Sequence, residues 1–169
     1  MAQAYKPLPH ASELWELFAY KPLTGELVRL EARGREETET LKAGTPDALG
    51  YRVMTVNGTL YFFHRLVWGW VNGQDPGTHL VDHKDRDPSN NRSWNLRLAS
   101  RSSNGANRAA YASNKTGFKG VVQYRGKFRA QITKDGRTRR IGTYDTAQEA
   151  GAAYAKAAAE LHGEFACTE

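Results

Sequence analysis

The polar centre of the chain reads Val81-Asp-His-Lys-Asp-Arg-Asp-Pro-Ser-Asn-Asn-Arg-Ser-Trp-Asn-Leu-Arg97 and then Ser103-Asn-Gly-Ala-Asn107. Asp82-His83 comes directly after a short apolar run, and Asn95 and Asn104 follow twelve and then nine residues further on. A carboxylate, an imidazole and two carboxamides supply oxygen ligands for a hard cation and a group that accepts a proton near neutral pH. The segment therefore predicts a loop that also carries a catalytic or metal-binding site.

This spacing resembles the HNH nuclease family, in the phage and intron-associated subgroup whose third signature residue is asparagine. The resemblance covers roughly residues 14 to 108. It implies a ββα-metal module, in which a hairpin and a following helix surround one divalent ion. The matching features are Asp82-His83 after a short strand, Asn90-Asn-Arg92, Asn95-Leu-Arg97, the terminal Asn104-Gly-Ala-Asn107, and upstream Gly50-Tyr51, Asn57-Gly58 and His64-Arg-Leu-Val-Trp68.

The resemblance also implies a role for each signature residue. Asp82 and Asn104 are expected to bind the metal, and His83 is expected to take a proton from the attacking water. Asn95 is expected to hold the loop and to orient His83. Oxygen ligands favour Mg²⁺, with Mn²⁺ as the alternative, whereas zinc is disfavoured because asparagines replace the histidines or cysteines that it prefers.

Other residues of this region receive structural interpretations. We interpret Asn90 and Asn91 as turn or cap residues, because asparagine commonly hydrogen-bonds its own backbone in turns. His64 and His79 are interpreted as partly buried structural histidines. The tryptophans expected in the core are Trp68, Trp70 and Trp94.

The last third of the chain has a regular pattern of strands and turns. Three strand candidates span Phe118–Tyr124, Phe128–Lys134 and Thr138–Tyr144, and glycine-containing turns at Gly126 and Gly136 join them. A capping box, Thr146-Ala-Gln-Glu149, then begins an alanine-rich segment that continues to Leu161. The pattern predicts a three-stranded antiparallel sheet packed on one helix.

Residues 114 to 166 resemble the plant Apetala-two and ethylene-response-factor DNA-binding domain. The resemblance rests on Gly117-Phe-Lys-Gly-Val-Val122, Lys127-Phe-Arg-Ala-Gln-Ile132 and Arg140-Ile-Gly-Thr-Tyr-Asp145. It implies that the sheet enters the major groove of DNA. Val122 and Tyr124 stand where the plant proteins often carry arginine, so their target sequence does not transfer. The residues expected to contact DNA are Lys119, Arg125, Lys127, Arg129, Arg137, Arg139 and Arg140.

Basic residues are concentrated in one part of the chain. The 169 residues carry 24 Lys plus Arg and 18 Asp plus Glu, a net charge of +6, yet residues 97–140 alone hold twelve basic residues and one acid. Such asymmetry suits binding to a polyanion, because neutralising phosphates releases condensed counterions. Double-stranded DNA is the expected partner, and a solvated basic face is the alternative.

The composition excludes several other classes of protein. No stretch approaches eighteen consecutive apolar residues, and no signal-peptide pattern is present, so a cytoplasmic protein of a bacterial host or phage-infected cell is expected. The single cysteine, Cys167, excludes a disulfide framework or a thiolate zinc cluster within one chain.

We therefore predict an α+β protein with an HNH nuclease module at residues 1–108 and an Apetala-two-like DNA-binding domain at residues 109–169. Residues 105–116 are predicted to be a linker, and residues 31–44 a loop. The expected function is a metal-dependent homing or phage DNA endonuclease that nicks one strand per active site. A monomer would nick and a homodimer would cut both strands. The alternatives are a non-catalytic DNA-binding regulator and an RNA-binding protein.

Overall fold

A computed structural model describes residues 6–30, 37–42, 44–111 and 113–168, with the backbone alone for residues 37–42. The chain divides into two units, Met1–Leu98 and Ala99–Glu169. This division lies ten residues before the predicted boundary between 108 and 109, because the helix that follows residue 100 packs within the second unit. Part of the predicted loop at 31–44 lies outside the described residues, and residues 37–42 form a strand.

Among the described residues, the first unit contains three small sheets, two α-helices and one turn of 3-10 helix. The sheets contain β1 to β3, β4 to β6, and the pair β7 and β8. The elements in chain order are α1 (Ala11–Leu17), β1 (Phe18–Lys21), β2 (Glu26–Leu30), β3 (Glu37–Lys42), β4 (Thr45–Pro46), β5 (Arg52–Val56), β6 (Thr59–Phe62), α2 (Phe63–Asn72), β7 (Leu80–His83) and β8 (Leu96–Ala99).

Helix α2 and the strands around it form the apolar core of the first unit. Phe63, Leu66 and Val67 on α2 are fully buried, and they join Phe18 and Leu27 from β1 and β2. The dipeptide Asn57-Gly58 predicts a tight turn between two strands, and the hairpin of β5 and β6 does turn there, with positive φ at both residues. Among the described residues, no helix is long and apolar enough to cross a membrane.

The second unit contains the predicted antiparallel sheet of three strands, with the order β11-β10-β9. This part of the prediction is confirmed, although β9 begins three residues later than predicted. A short helix precedes the sheet, and a long helix follows it. The elements are α3 (Arg101–Asn107), β9 (Val121–Tyr124), β10 (Lys127–Lys134), β11 (Arg137–Tyr144) and α4 (Ala147–His162).

Small residues allow α4 to lie close to the sheet. Ala150 and Ala158 are fully buried and share a core with Ala130 and Ile132 of β10. A Cβ atom placed on Gly151 would lie 2.5 Å from the ring of Phe118, so no larger residue fits there without movement. The sheet face that α4 covers is therefore the face of Ala130 and Ile132.

The predicted linker begins as an ordered helix. Ser100 caps α3 by accepting from the N–H of Ser103 at 3.0 Å, and the Ser102 hydroxyl accepts from the N–H of Asp135 at 2.8 Å. Ala106 and Asn107 are buried. The cap and these tertiary contacts outweigh the low helix propensity of a segment that contains serine, asparagine and glycine. Ala112, within the predicted linker, lies outside the described residues.

Thr146 begins α4 through the predicted capping box, which the structure confirms. Its side chain accepts from the N–H of Glu149, and the Glu149 carboxylate accepts from the N–H of Thr146, each at 3.2 Å. Thr146→Ala is expected to lower the free energy of unfolding by about 1 kcal/mol, because one helical N–H loses its acceptor. Denaturant unfolding measures the change, with Thr168→Ala at an exposed position as the control. Equal stability of the two variants would contradict the role of the cap.

Candidate functional site

Asp82 and His83 are the last two residues of β7, and both side chains are buried. Neighbouring residues of a strand point to opposite faces, but His83 ends its strand, so the chain turns immediately after it. Arg97 on β8 approaches the Asp82 carboxylate, with Nε and Nη2 each 3.0 Å from Oδ2. Sequence analysis did not assign a role to Arg97, and this buried ion pair fixes the position of the predicted metal ligand.

The imidazole of His83 lies among three other side chains. Its Nε2 is 3.2 Å from Oδ1 of Asn91, which is 1% exposed. The ring of His64 meets the His83 ring edge-on, with centroids 5.1 Å apart, and the ring of Tyr51 lies at 6.0 Å. The surroundings therefore restrict both the position and the rotation of the predicted general base.

Asn95 closes the loop between β7 and β8. Its Oδ1 accepts from the N–H of Asp85 at 3.1 Å, and its Nδ2 donates to Asp85 Oδ1 at 2.9 Å and to the carbonyl of Asn90 at 2.8 Å. The backbone carbonyl of Asn95 also accepts from the N–H of Lys84. These contacts fix the conformation of the loop that follows His83, and the side chain of Asn91 lies within hydrogen-bond distance of His83 itself.

Asp85 contributes a charged acceptor to the same loop. Burial raises the pKa of its carboxyl, but hydrogen bonds from Asn95, from the N–H of Asp87 and from Asn90 outweigh this, and the pKa lies below its ordinary value. The loop therefore folds around a carboxylate whose oxygens already accept hydrogen bonds.

Three sequence interpretations of this region change with the structure. His79 was interpreted as a partly buried histidine, and its side chain is exposed. Asn91 was interpreted as a turn or cap residue, yet its buried side chain contacts His83. Trp94 was expected in the core, and its side chain is 64% exposed. It lies in a turn of 3-10 helix, Ser93–Asn95, whose buried residue is Asn95, so the tryptophan faces solvent. Trp68 and Trp70 pack against the core as expected.

Asn104 lies on α3 in the second unit, whereas Asp82, His83 and Asn95 belong to the first unit. Across the described residues, no three His, Cys, Asp or Glu side chains group as a metal site. A metal site that uses Asp82 and Asn104 therefore depends on carboxylate and carboxamide oxygens, and it stays a prediction.

The basic residues of the second unit divide between the two faces of its sheet. In an antiparallel pair, residues directly opposite each other share a face. Arg137 and Arg139 pair with Lys134 and Ile132, on the face of the buried core. The open face carries Tyr124 opposite Lys127, Val122 opposite Arg129, and Arg140 opposite Gln131.

The cations on the open face are held by their neighbours. The guanidinium carbon of Arg129 lies 3.4 Å from the centre of the Tyr124 ring, and its buried Nε has no hydrogen-bond partner in the described structure. Arg140 donates to the hydroxyl of Thr143 at 2.9 Å. Lys127 pairs with Asp145 at 2.7 Å, and the hydrogen bond and negative charge of Asp145 raise the pKa of this lysine. Arg129 is thus oriented by stacking.

The remaining two predicted DNA contacts have different surroundings. Arg125 lies in the turn between β9 and β10, with a φ of 50° and its guanidinium 5.3 Å from the Tyr124 ring centre. Lys119 donates to the carbonyl of Ala106 at 2.6 Å and also to that of Arg108. Lys119 therefore connects the end of α3 to the strand region.

Comparisons with known proteins place the chain in a family. The HNH endonuclease family matches residues 61–106, which contain the four predicted site residues. An uncharacterized HNH endonuclease of Acanthamoeba polyphaga mimivirus is 35% identical over 104 residues, which cover 61% of this chain and 54% of that protein. Protein 3.8 of Escherichia phage T7 is 33% identical over 105 residues, which cover 61% of this chain and 86% of that protein.

The chain belongs to the HNH endonuclease family. The prediction of an HNH endonuclease is thereby confirmed at the level of the family. The match spans about half the length of the mimivirus protein, and no solved structure matches the chain.

His64 generates a prediction about pH. Burial is the main reason that its pKa is lowered to about 3, and the neighbouring His83 and Arg65 lower it further. The unfolded chain binds a proton at this histidine below a pH of about 6.5, while the folded chain stays neutral, so stability falls as the pH drops toward 3.

His64→Phe is therefore expected to flatten the dependence of the unfolding free energy on pH in this window, because it removes the group that the unfolded chain protonates. Denaturant titrations at several pH values measure the effect, with His79→Phe at an exposed position as the matched control. The interpretation fails if both variants keep the same pH dependence as the unsubstituted chain.

Proposed function

We propose that this protein is a metal-dependent endonuclease that hydrolyses a phosphodiester bond of double-stranded DNA. The observation that carries the proposal is that β7 ends with two buried residues, Asp82, which is ion-paired with Arg97, and His83, inside the segment that matches the HNH family. Buried polar side chains cost stability unless they are paired. Burying such a polar cluster lowers stability, and this is expected where an active site holds its catalytic groups in fixed positions.

The donor set fits a hard divalent ion. Asp82 offers a carboxylate oxygen and Asn104 a carboxamide oxygen, the ligand types that Mg²⁺ and Mn²⁺ accept. Such an ion, when bound, stabilises the charge that develops on the phosphate and the leaving 3′ oxygen. Arg97 holds Oδ2 of Asp82 from one side, which fixes the direction of the carboxylate.

His83 is proposed to take the proton from the water that attacks phosphorus. A neutral imidazole accepts a proton and then returns it to solvent. Asn95 keeps the loop after His83 in one conformation through its bonds to Asp85 and Asn90. We also propose that β7, β8 and α3 form the ββα-metal module that the family resemblance implies, with one ion bound between them.

The second unit is proposed to hold the DNA. Its open sheet face presents Lys127, Arg129 and Arg140, and its resemblance to the Apetala-two domain supports insertion of this face into the major groove. Stacking on Tyr124 orients the Arg129 guanidinium before DNA arrives, which reduces the entropy that binding costs. A planar guanidinium reads guanine through two parallel hydrogen bonds.

One active site per chain cuts one strand, so we propose that a monomer nicks and that a homodimer makes double-strand breaks. The relatives come from a virus and a phage. Their origin supports a role in phage or other mobile-element DNA, with homing as the specific proposal.

The decisive test of activity incubates supercoiled plasmid with the protein and Mg²⁺. Conversion to the nicked circle is expected, with loss of activity in EDTA and a loss of at least about 100-fold for His83→Ala, because general-base catalysis contributes about 10² to 10⁴. His79→Ala, an exposed histidine outside the site, is the control. Unaltered plasmid together with tight binding would instead support a non-catalytic regulator.

A second prediction separates the two faces of the sheet. Arg129→Ala is expected to weaken binding to mixed-sequence duplex DNA, measured by fluorescence anisotropy, by about 5- to 160-fold, because a well-oriented arginine contributes about 1–3 kcal/mol. Arg137→Ala removes the same charge from the other face and should weaken binding less. The assignment of the DNA-binding face is wrong if the order is reversed.

A further inference from the structure

The amide of Asn91 has one orientation that satisfies its neighbours. Its Nδ2 donates to the carbonyl of Ser89 at 3.1 Å, which leaves Oδ1 directed at Nε2 of His83, 3.2 Å away. Turning the amide over would place its oxygen against the Ser89 carbonyl, so that two acceptors would meet. Because Oδ1 is an acceptor only, the Nε2 of His83 must carry the hydrogen.

We propose that Asn91 is a positioning residue that holds His83 in the Nε2–H tautomer and so leaves the basic lone pair on Nδ1. The proposal deepens the proposed function, because it names the atom of His83 that would accept the proton of the attacking water. The two ring nitrogens of histidine are chemically distinct, and the hydrogen bond at one of them decides which is basic.

Asn91 is itself held by the hairpin of β1 and β2, which precedes the segment matched by the HNH family. The Tyr20 hydroxyl accepts from the N–H of Ser93 at 2.7 Å and donates to the carbonyl of Asn91 at 3.4 Å. Arg92 donates through Nε to the carbonyl of Leu23 at 2.7 Å. Three hydrogen bonds therefore attach the hairpin to residues 91–93.

Gly25 shows how closely the hairpin approaches. A Cβ atom on this residue would lie 2.5 Å from the nitrogen of Arg92 and 2.6 Å from the carbonyl carbon of Asn91, and Gly25 has a φ of +77°. Backbone thus packs directly on backbone at the position of Asn91. The strand-rich region before residue 61 has, in this proposal, the role of bracing the general base.

His64 restrains the other side of the imidazole. Its ring contacts the His83 ring edge-on at an interplanar angle of 75°. Because His64 is buried, a rotation of the His83 ring that breaks its hydrogen bond to Asn91 would require the core around α2 to move.

Long-range ¹H–¹⁵N NMR of His83 in the full chain, at a pH well above the ordinary imidazole value of about 6.5, reports the tautomer directly. The Nε2–H form is expected in the unsubstituted protein. Asn91→Leu, which removes the acceptor at similar volume, is expected to produce a mixture of tautomers. Asn91→Asp keeps an oxygen acceptor for Nε2 but loses the donor to the Ser89 carbonyl, so it should keep a larger share of the Nε2–H form than Asn91→Leu does. A dominant Nδ1–H form in the unsubstituted protein overturns the proposal.

Nicking kinetics supply the second readout. Asn91→Leu is expected to lower kcat by about 10- to 100-fold with little change in KM for DNA, because removal of a residue that orients a site group typically has an effect of this size. Asn91→Asp should recover part of kcat, and Tyr20→Phe, which acts from the hairpin, should lower kcat by a smaller factor. Equal kcat in Asn91→Leu and the unsubstituted chain also overturns the proposal.

Asn90→Leu is the matched control. It removes an adjacent asparagine whose bonds go to Asp85 and Arg92, and it should keep the Nε2–H form of His83. If the variant loses that form as completely as Asn91→Leu does, loop order rather than the Asn91 bond sets the tautomer, and the proposal is wrong. The NMR result is independent of cleavage, so an inactive protein with the Nε2–H form would reject the proposed function alone.

Discussion

Burial of polar side chains is the constraint on which the site depends. Asp82, His83, Asn91, Asn95 and Arg97 are each less than 9% exposed. A buried polar group without a partner costs about 1–3 kcal/mol, and a buried charge costs more. Each of these residues must therefore have its partner in place, and the fold of the first unit is arranged to supply one. The site is rigid because any other conformation of these side chains would leave buried polar groups without hydrogen-bond partners.

The partners come from three places in the first unit. Arg97 contacts Asp82 from the neighbouring strand, Asn91 contacts His83 from the loop, and the β1–β2 hairpin packs against the backbone of Asn91 at Gly25. Of these, the hairpin lies outside the segment that matches the HNH family. In the second unit, α4 packs closely against the sheet, so one sheet face belongs to the core and the other face stays open.

Local signals in the sequence were sufficient for much of the fold. Turn residues with positive φ at Asn57-Gly58, the capping box at Thr146, and strand alternation in β10 act over a few residues, and the structure confirms all three. The contact of Asn91 with His83 was missed, because asparagine in a polar loop has the same local signature whether its side chain is exposed or buried. The exposure of Trp94 was also missed, because the local sequence does not distinguish a buried tryptophan from an exposed one. Tertiary packing determines whether each of these two side chains is buried, and the spacing of residues in the sequence gives no information about that packing.

The basic strand residues show a related limit. Strand alternation predicts that Arg129 and Gln131 share one face of β10 and that Phe128 and Ala130 share the other, and the structure confirms this. An irregularity between Ala130 and Gln131, however, changes the register with β11. The faces of Arg137, Arg139 and Arg140 follow only from the observed pairing.

We propose that Asp82 and Asn104 hold one divalent ion beside His83. Anomalous diffraction from crystals of the protein grown with DNA and Mn²⁺ is the sharpest test of this proposal. One manganese peak is expected, with oxygen ligands from both residues and a water between His83 Nδ1 and the scissile phosphate. A manganese peak bound elsewhere, with neither residue as a ligand, would contradict it.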